Sequence, residues 1–411
     1  MKLTEDDLYR NSTQFRNWSF TSQQLAAQRL KTNLQATERV KANVARQRAQ
    51  RAQQLQVESD GISSGVENGS GANTPNPVVS SGDSASKEVD CLTADEELKI
   101  VNEFCERAIK LGEHCRFPFE VTATCIQYLR RFYLYNSPMT YHVHNMSRTI
   151  MFLATKVEVH NLKVDEFAAF FPSASVTTES ILAPEYTVMQ GLRYNLDVRH
   201  PFRGLAGGCM ELLEIAGGRY TGPGSGEETQ AKMLRLPKKT DGPAVTWTVE
   251  QMENRIKNAS FFASKTLKEA ALLTDAYFLY TPSHIWLAAH LLADEPLTLF
   301  YLSLKLPPSP TTQNSAPPSP PVQPSYPPTA STPSEVKRLI GKLKMCRDPD
   351  KIDLVKLNQA QKRDAVAEDG SGGLEVSKAK RRKLERETYE KEADAFWGPE
   401  LAVAKKKEEE G

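Results

Sequence analysis

No apolar run in the chain reaches the ~18–20 residues that a membrane-spanning helix needs, so nothing reads as a transmembrane segment and no membrane partner is expected. There is no Cys-x-x-Cys pair. The six cysteines, Cys91, Cys105, Cys115, Cys125, Cys209 and Cys346, are scattered. That pattern speaks against a zinc site or a disulfide framework and for reduced, structural thiols inside a cell. Neither sign of charge dominates: 52 Lys plus Arg face 51 Asp plus Glu, a net charge of +1. A general nucleic-acid binder would carry a strong basic excess, so direct nucleic-acid binding is not expected. Apolar residues are scarce as well, at 39% of the 411 residues, with a mean hydropathy of −0.49. Substantial parts of the chain are therefore expected to stay unfolded.

Catalytic signatures are missing too. The chain has no His-Arg-Asp, Asp-Phe-Gly, Walker loop, His-Glu-x-x-His or Gly-x-Ser-x-Gly. The stretch Gly222-Pro223-Gly224-Ser225-Gly226 lacks the preceding strand and the Lys-Ser/Thr that a phosphate loop requires. His142 and His144 stand two apart at a polar corner, which suits a helix start better than a metal pair. No catalytic group, metal or cofactor is expected. The opening Met1–Asp7 is acidic and polar and reads as neither a signal peptide nor a mitochondrial presequence.

What is present is helical periodicity, strongest over Phe119–Glu158. Val121, Cys125, Leu129 and Phe132 share one face of a first helix; Ile150, Leu153, Ala154 and Val157 share one face of a second. Asn136-Ser137-Pro138 breaks the two apart. Upstream, Thr93 with Glu96 forms a capping box before a stripe of Leu98, Val101, Cys105 and Ile109. Downstream, Lys163–Phe171 is a short helix, and Thr178–Asn195 is another with Ile181, Val188 and Leu192 inward. Pro184 either kinks that helix or marks its true start near Ala183.

In the second half, Phe202–Ile215 is a glycine-weakened helix and 216–246 reads as a flexible insertion. Thr248 with Gln251 caps a strong stripe of Met252, Ile256, Ala259, Ala263, Leu267 and Ala270. Thr281-Pro282 opens the next helix, to about Ala293. Pro-Pro-Ser-Pro occurs twice, at 307–310 and 317–320, in a polyproline-type spacer. Residues 334–347 are amphipathic and read as the last helix of the second half.

At the N-terminus, Tyr9, Phe15, Trp18 and Phe20 cluster on an arm that either packs on its own domain or contacts a partner. Thr21 or Ser22 caps a basic surface helix reaching Gln56, with a sparse apolar face of Leu25, Leu30, Leu34, Val40 and Val44. The run Lys378, Lys380, Arg381, Arg382 and Lys383 is a nuclear-import candidate. Thr74, Ser309, Ser319 and Thr332 precede prolines and are candidate phosphosites.

The wording of two stretches goes further than periodicity. Arg131-Phe132-Tyr133-Leu134 with Asn136-Ser137, then Leu153-Ala154-Thr155-Lys156-Val157-Glu158, resembles the first repeat of a cyclin box. Leu273-Thr274-Asp275-Ala276-Tyr277-Phe278-Leu279-Tyr280-Thr281-Pro282-Ser283 resembles the second repeat. The resemblance is to the cyclin family, on the cyclin H branch in a fungal-like form with inserts, and covers roughly 93–200 and 248–305. It implies an all-α fold: two tandem five-helix cyclin-box repeats flanked by N- and C-terminal helices, with disordered inserts and tail. The implied layout is an arm and helix at 1–56, a linker at 57–90, boxes at 91–200 and 201–347 with inserts at 216–246 and 306–333, and a charged tail at 348–411.

The resemblance also implies a non-catalytic kinase regulator whose Lys156 and Glu185 grip a cyclin-dependent kinase, aided by Phe15 and Trp18. The implied setting is the nucleus. Implied partners are the catalytic chain of the CDK-activating kinase, its RING-finger assembly factor and the core of transcription factor IIH, with the RNA polymerase II C-terminal domain as target. Two departures from cell-cycle cyclins favour a transcription-type member. The substrate-docking patch on the first helix is replaced by Glu106-Arg107-Ala108-Ile109-Lys110, and a customary Asp is Arg130. The alternatives are a Mediator-type cyclin C and a DNA-contacting cyclin-fold factor of the transcription factor IIB type.

Overall fold

The computed structural model describes residues 9–62, 89–171, 176–222, 224–225, 227–240, 242–305 and 333–345, and all regular structure in them is helical. The N-terminal arm carries α1 (Thr13–Trp18), capped by Ser12, and then the long α2 (Ser22–Ile62). Thr21 caps α2: its hydroxyl accepts from Gln24 N while Gln24 Oε1 accepts from Thr21 N. The apolar face of α2 is narrower than its leucines suggest. Leu25, Ala36 and Val40 are buried, whereas Leu30 and Leu34 are exposed. Polar contacts supply the rest of its docking. Thr32 Oγ1 donates to Leu134 O at 2.8 Å and Asn33 Nδ2 to Leu92 O at 2.8 Å.

The first box consists of α3 (Ala94–His114), α4 (Phe119–Tyr135), α5 (Val143–Val157), α6 (Val164–Ala169), α7 (Thr178–Leu182) and α8 (Glu185–Gly191). Thr93 and Glu96 make the expected capping box at the start of α3. Its buried stripe is Glu97, Ile100, Val101, Phe104, Cys105 and Ala108, rotated from the expected one so that Leu98 and Ile109 lie at its edge. Helix α4 is not half-buried but central, with every side chain from Val121 to Leu134 inside, Gln127, Arg130 and Arg131 included. Pro184 settles as a break. The expected fifth helix is two, α7 and α8, with Pro184 at the N-cap of α8, while Ile181, Val188 and Leu192 remain fully buried.

The second box has α9 (Phe202–Ala216), α10 (Glu227–Met233), α11 (Val249–Thr266), α12 (Ala276–Leu279), α13 (Pro282–Ala293) and α14 (Glu295–Lys305). Glycines in α9 serve packing, not weakness: a Cβ on Gly204 would lie 2.5 Å from the indole of Trp286. The stretch expected as a flexible insertion instead carries α10, with Met233 fully buried and the Trp247 indole N–H donating to Leu236 O at 2.7 Å. The stripe of α11 holds through Leu267 and then slips. A π-helical turn at Leu267–Ala271 adds a residue to the turn, so Ala271 is buried in place of Ala270.

Helix α15 (Pro333–Met345) follows the second box in sequence. It packs on α3 of the first box. Leu339 and Leu343 are buried, Lys342 Nζ lies 2.9 Å from both Asp90 and Glu96, and Arg338 lies 3.1 Å from Glu96. Glu96 therefore caps α3 and anchors α15 at once.

One acid sits where these elements meet. Glu97 of α3 is buried, accepts from the Ser137 hydroxyl, and is hydrogen-bonded to Asn33 of α2. Burial pushes its pKa up from 4.5 to about 7, against the lowering effect of those two bonds. A cavity of about 30 Å³ beside it is lined by Arg29, Arg130 and Tyr133, large enough only for water. The folded state thus favours protonated Glu97. Its contribution to stability is complete below pH 4.5 and is lost as pH rises through 7. Glu97→Gln abolishes that loss. Denaturant melts should show the variant more stable than the parent by up to about 3 kcal/mol at pH 8 and near-equal at pH 4.5.

Candidate functional site

Lys156 lies in the last turn of α5, and Glu185 opens α8. Each charge suits its end of a helix: a cation near the C-terminus, an anion near the N-terminus. Lys156 Nζ stands 2.6 Å from Glu185 Oε1, and 4.7 Å from the centre of the Phe152 ring. The two side chains remain accessible, 43% and 19% exposed. An exposed pair of this kind is worth ~0–1 kcal/mol. It holds both groups in place while leaving them free to exchange partners.

Apolar groups surround the pair. Leu182, Tyr186, Val159 and Tyr194 are all exposed, and the rings of Tyr186 and Tyr194 meet edge-on at 6.4 Å. None belongs to a sequence motif. Leu182 and Tyr186 are apolar residues of α7 and α8 that stand outside the buried set of Ile181, Val188 and Leu192. Backbone geometry adds a signal that sequence cannot carry. Val159, Arg193 and Tyr194 adopt positive φ at 55°, 54° and 56°. A β-branched residue there is strained, and such strain gathers where function over-determines the chain.

The N-terminal arm continues this surface. The Arg193 guanidinium lies 4.1 Å from the Tyr135 ring centre and 5.9 Å from that of Trp18; Arg131 approaches Trp18 from within at 5.2 Å. Trp18 is 0% exposed, whereas Phe15 is 37% exposed. Gln14 fixes the arm: its Oε1 accepts from Arg131 Nη2 at 3.2 Å and from Arg199 N at 2.6 Å. The arm therefore packs on its own domain through Trp18 and Gln14 and shows Phe15 outward.

Behind the face runs the seam between the boxes. Asp275 accepts from Arg29 at 2.5 and 2.8 Å and from Arg130 at 2.7 Å; Arg130 also reaches Asn102 at 2.8 Å. Burial alone would raise the Asp275 pKa, but the Arg29 hydrogen bond and the Arg130 charge outweigh it and hold it at about 2. Thr124 Oγ1 donates to Glu158 at 2.6 Å and contacts His200 Nε2 at 2.9 Å; His200 Nδ1 faces the Tyr277 hydroxyl at 3.0 Å. Burial, reinforced by the Arg131 charge, lowers His200 to about 3. The imidazole is neutral: it donates from Nε2 and accepts at Nδ1 from Tyr277. This network ends on Glu158, two residues from Lys156.

The other candidates fall elsewhere. His142 caps α5 by accepting from His144 N at 3.3 Å, and buried His144 is lowered to about 3 by burial and by Arg148. Among the described residues no group of His, Cys, Asp and Glu could hold a metal ion, and no helix is long and apolar enough to cross a membrane. Burial pushes the Cys105 thiol up to about 11 and holds the Cys125 thiol well above its ordinary value. Lys378, Lys380, Arg381, Arg382 and Lys383 lie outside the described residues, as do Thr74, Ser309, Ser319 and Thr332.

Two domain families match the two boxes: the cyclin N-terminal domain over residues 96–197 and the cyclin C-terminal domain over residues 200–348. The chain belongs to the cyclin family. Cyclin CCL1 of Saccharomyces cerevisiae is 29% identical over 314 residues, 76% of this cyclin and 65% of the yeast protein. Cyclin-H1-1 of Arabidopsis thaliana is 28% identical over 285 residues, 68% of this cyclin and 69% of the plant protein. In fold, this cyclin is similar to a chain of the CAK complex from Chaetomium thermophilum bound to ATP-γ-S. The TM-score is 0.57 and the identity 24%, covering 91% of this cyclin and 100% of that chain.

Proposed function

We propose that this cyclin is a non-catalytic regulatory subunit that binds and activates a cyclin-dependent kinase through the face around Lys156 and Glu185. Its setting is the CDK-activating kinase module of transcription factor IIH, where it promotes phosphorylation of the RNA polymerase II C-terminal domain. The observation that carries this reading is the accessible Lys156–Glu185 pair inside a rim of exposed Leu182, Tyr186 and Val159. Similarity to cyclin CCL1 and cyclin-H1-1 over most of the chain supports the choice of branch over a Mediator-type cyclin C.

The chemistry follows from phosphoryl transfer, which requires a Lys–Glu pair assembled on the kinase's own C-helix. A cyclin shifts the kinase toward that state only by binding it more tightly than the inactive one. Moving a kinase from ~1% to ~99% active takes ~5.5 kcal/mol of preference, within reach of an interface of standard size. Lys156 donates to carbonyls and Glu185 accepts from amides of the facing kinase segment, charge-assisted bonds that satisfy groups otherwise stranded at a dry interface. Leu182, Tyr186 and Phe15 supply apolar contact around them, and Trp18 acts from beneath by positioning the arm.

A RING-finger assembly factor and the core of transcription factor IIH are the further partners in this reading, and Lys378–Lys383 is the run that directs the chain to the nucleus. The test is reconstitution. Adding the purified chain to the purified kinase should raise phosphorylation of a C-terminal-domain peptide at least tenfold. An unchanged rate in the presence of demonstrated binding would contradict activation.

A further inference from the structure

Helix α11 turns Met252, Ile256, Ala259 and Ala263 to the core. Phe261 stands on the opposite face and Phe262 on the flank, yet they are 67% and 58% exposed, with rings edge-on at 5.7 Å. Phe262 follows Arg255 by two helical turns and shares its side of the helix. Arg255 bonds Asp294, just past α13, at 2.6 and 2.8 Å, so that side faces α13. On α13, Ile285, Trp286, Ala289 and His290 point inward, while Leu291 and Leu292 are exposed. Two adjoining phenylalanines on the solvent side of a helix form an exposed apolar surface that a partner can cover. Among the described residues nothing covers this one. Lys257 and Lys265 border the strip, 3.8 Å from Glu253 and 3.9 Å from Glu269.

We propose that this strip docks the chain's own acidic tail, residues 385–397. There Glu385, Glu387, Glu390, Glu392 and Asp394 outnumber Arg386 and Lys391. Tyr389, Ala393, Phe396 and Trp397 recur at helical spacing and make one apolar face. An acidic segment with an aromatic stripe matches an aromatic strip bordered by lysines, in the manner of an amphipathic helix laid into a groove. Length permits it: α15 ends at Met345, and the intervening chain, at about 3.4 Å per extended residue, spans the whole body. This docking is independent of the Lys156–Glu185 face, since it uses only the second box and the tail.

The test is photo-cross-linking in the full chain, with p-benzoylphenylalanine in place of Trp397. Expected are intramolecular cross-links to peptides spanning 255–266 or 284–293, reduced at least tenfold by Phe261→Lys with Phe262→Lys. Both phenylalanines are exposed, so an unchanged thermal melt checks that the variant folds. Isotope-mixed samples separate the occupants. Cross-links between heavy and light chains would assign the strip to a second copy and overturn the proposal. Cross-links elsewhere, or insensitive to the Phe261/Phe262 change, would overturn it equally.

Discussion

Lys156→Ala combined with Glu185→Ala should lower affinity for the purified kinase roughly 100-fold, about 2.7 kcal/mol, and leave the thermal melt of the free chain nearly unmoved. The asymmetry comes from where each residue's energy resides. In the free chain the two groups form an exposed pair worth ~0–1 kcal/mol, so the fold loses little. In the proposed complex they would be charged hydrogen-bonding groups at a desolvated interface, where truncation costs about 2–5 kcal/mol. Exchanging the charges, Lys156→Glu with Glu185→Lys, separates this account from a purely structural salt bridge. The swapped pair can still form, so stability stays, yet donor and acceptor are reversed toward the kinase and binding is lost. Calorimetric titration of the three proteins against the kinase checks both statements.

Asp275→Ala lowers the stability of the free chain by about 3–5 kcal/mol, the typical cost of stranding a buried charge. Asp275 accepts from arginines on two other elements, and the Arg130 side chain is only 4% exposed. Removing the carboxylate leaves Arg130 with Asn102 and the Leu273 carbonyl as hydrogen-bond partners. The same carboxylate gives the melt a defined acid limb. Its folded pKa of about 2 lies below the ordinary 3.8, so its stabilisation, about 2 kcal/mol, is complete above pH 3.8 and is lost as pH falls through 2. Asp275→Asn keeps the shape, loses that limb and should melt between Asp275→Ala and the parent.

Local features were legible because local physics sets them. The capping boxes at Thr93–Glu96 and Thr248–Gln251, the Thr281-Pro282 helix start and the inward stripe of α11 depend on residues a few positions apart. What failed to show depended on distant partners. Arg130 and Arg131 look like surface residues of an amphipathic helix. They are internal because Asp275 lies at one end of the seam, and the Asn195 and Asp197 carbonyls with Gln14 lie at the other. Arg130 replaces a customary Asp, and its answering acid, Asp275, stands in the very segment whose wording marked the second repeat. In that segment Asp275 and Tyr277 both close the seam. The π-helical turn moved one stripe position from Ala270 to Ala271, a shift no fixed period anticipates. Helix α15 was legible as amphipathic, but amphipathicity does not say which surface it meets.

The site divides the same way. Lys156 and Glu185 were named through the resemblance, since two surface charges have no periodic signature, and the fold brings them to 2.6 Å. Trp18 was named beside Phe15, yet only Phe15 reaches the surface. The rim of Leu182 and Tyr186 was available as apolar residues on the outward face of a short helix, whereas Val159 and Tyr194 needed the backbone.

The most direct test of the central claim is a pull-down of the tagged chain from nuclear extract, beside the Lys156→Ala, Glu185→Ala double variant, with partners identified by mass spectrometry. Expected are a cyclin-dependent kinase together with a RING-finger protein and transcription factor IIH subunits on the parent chain, and loss of the kinase from the variant. A kinase recovered equally by both, or no kinase on either, would contradict it.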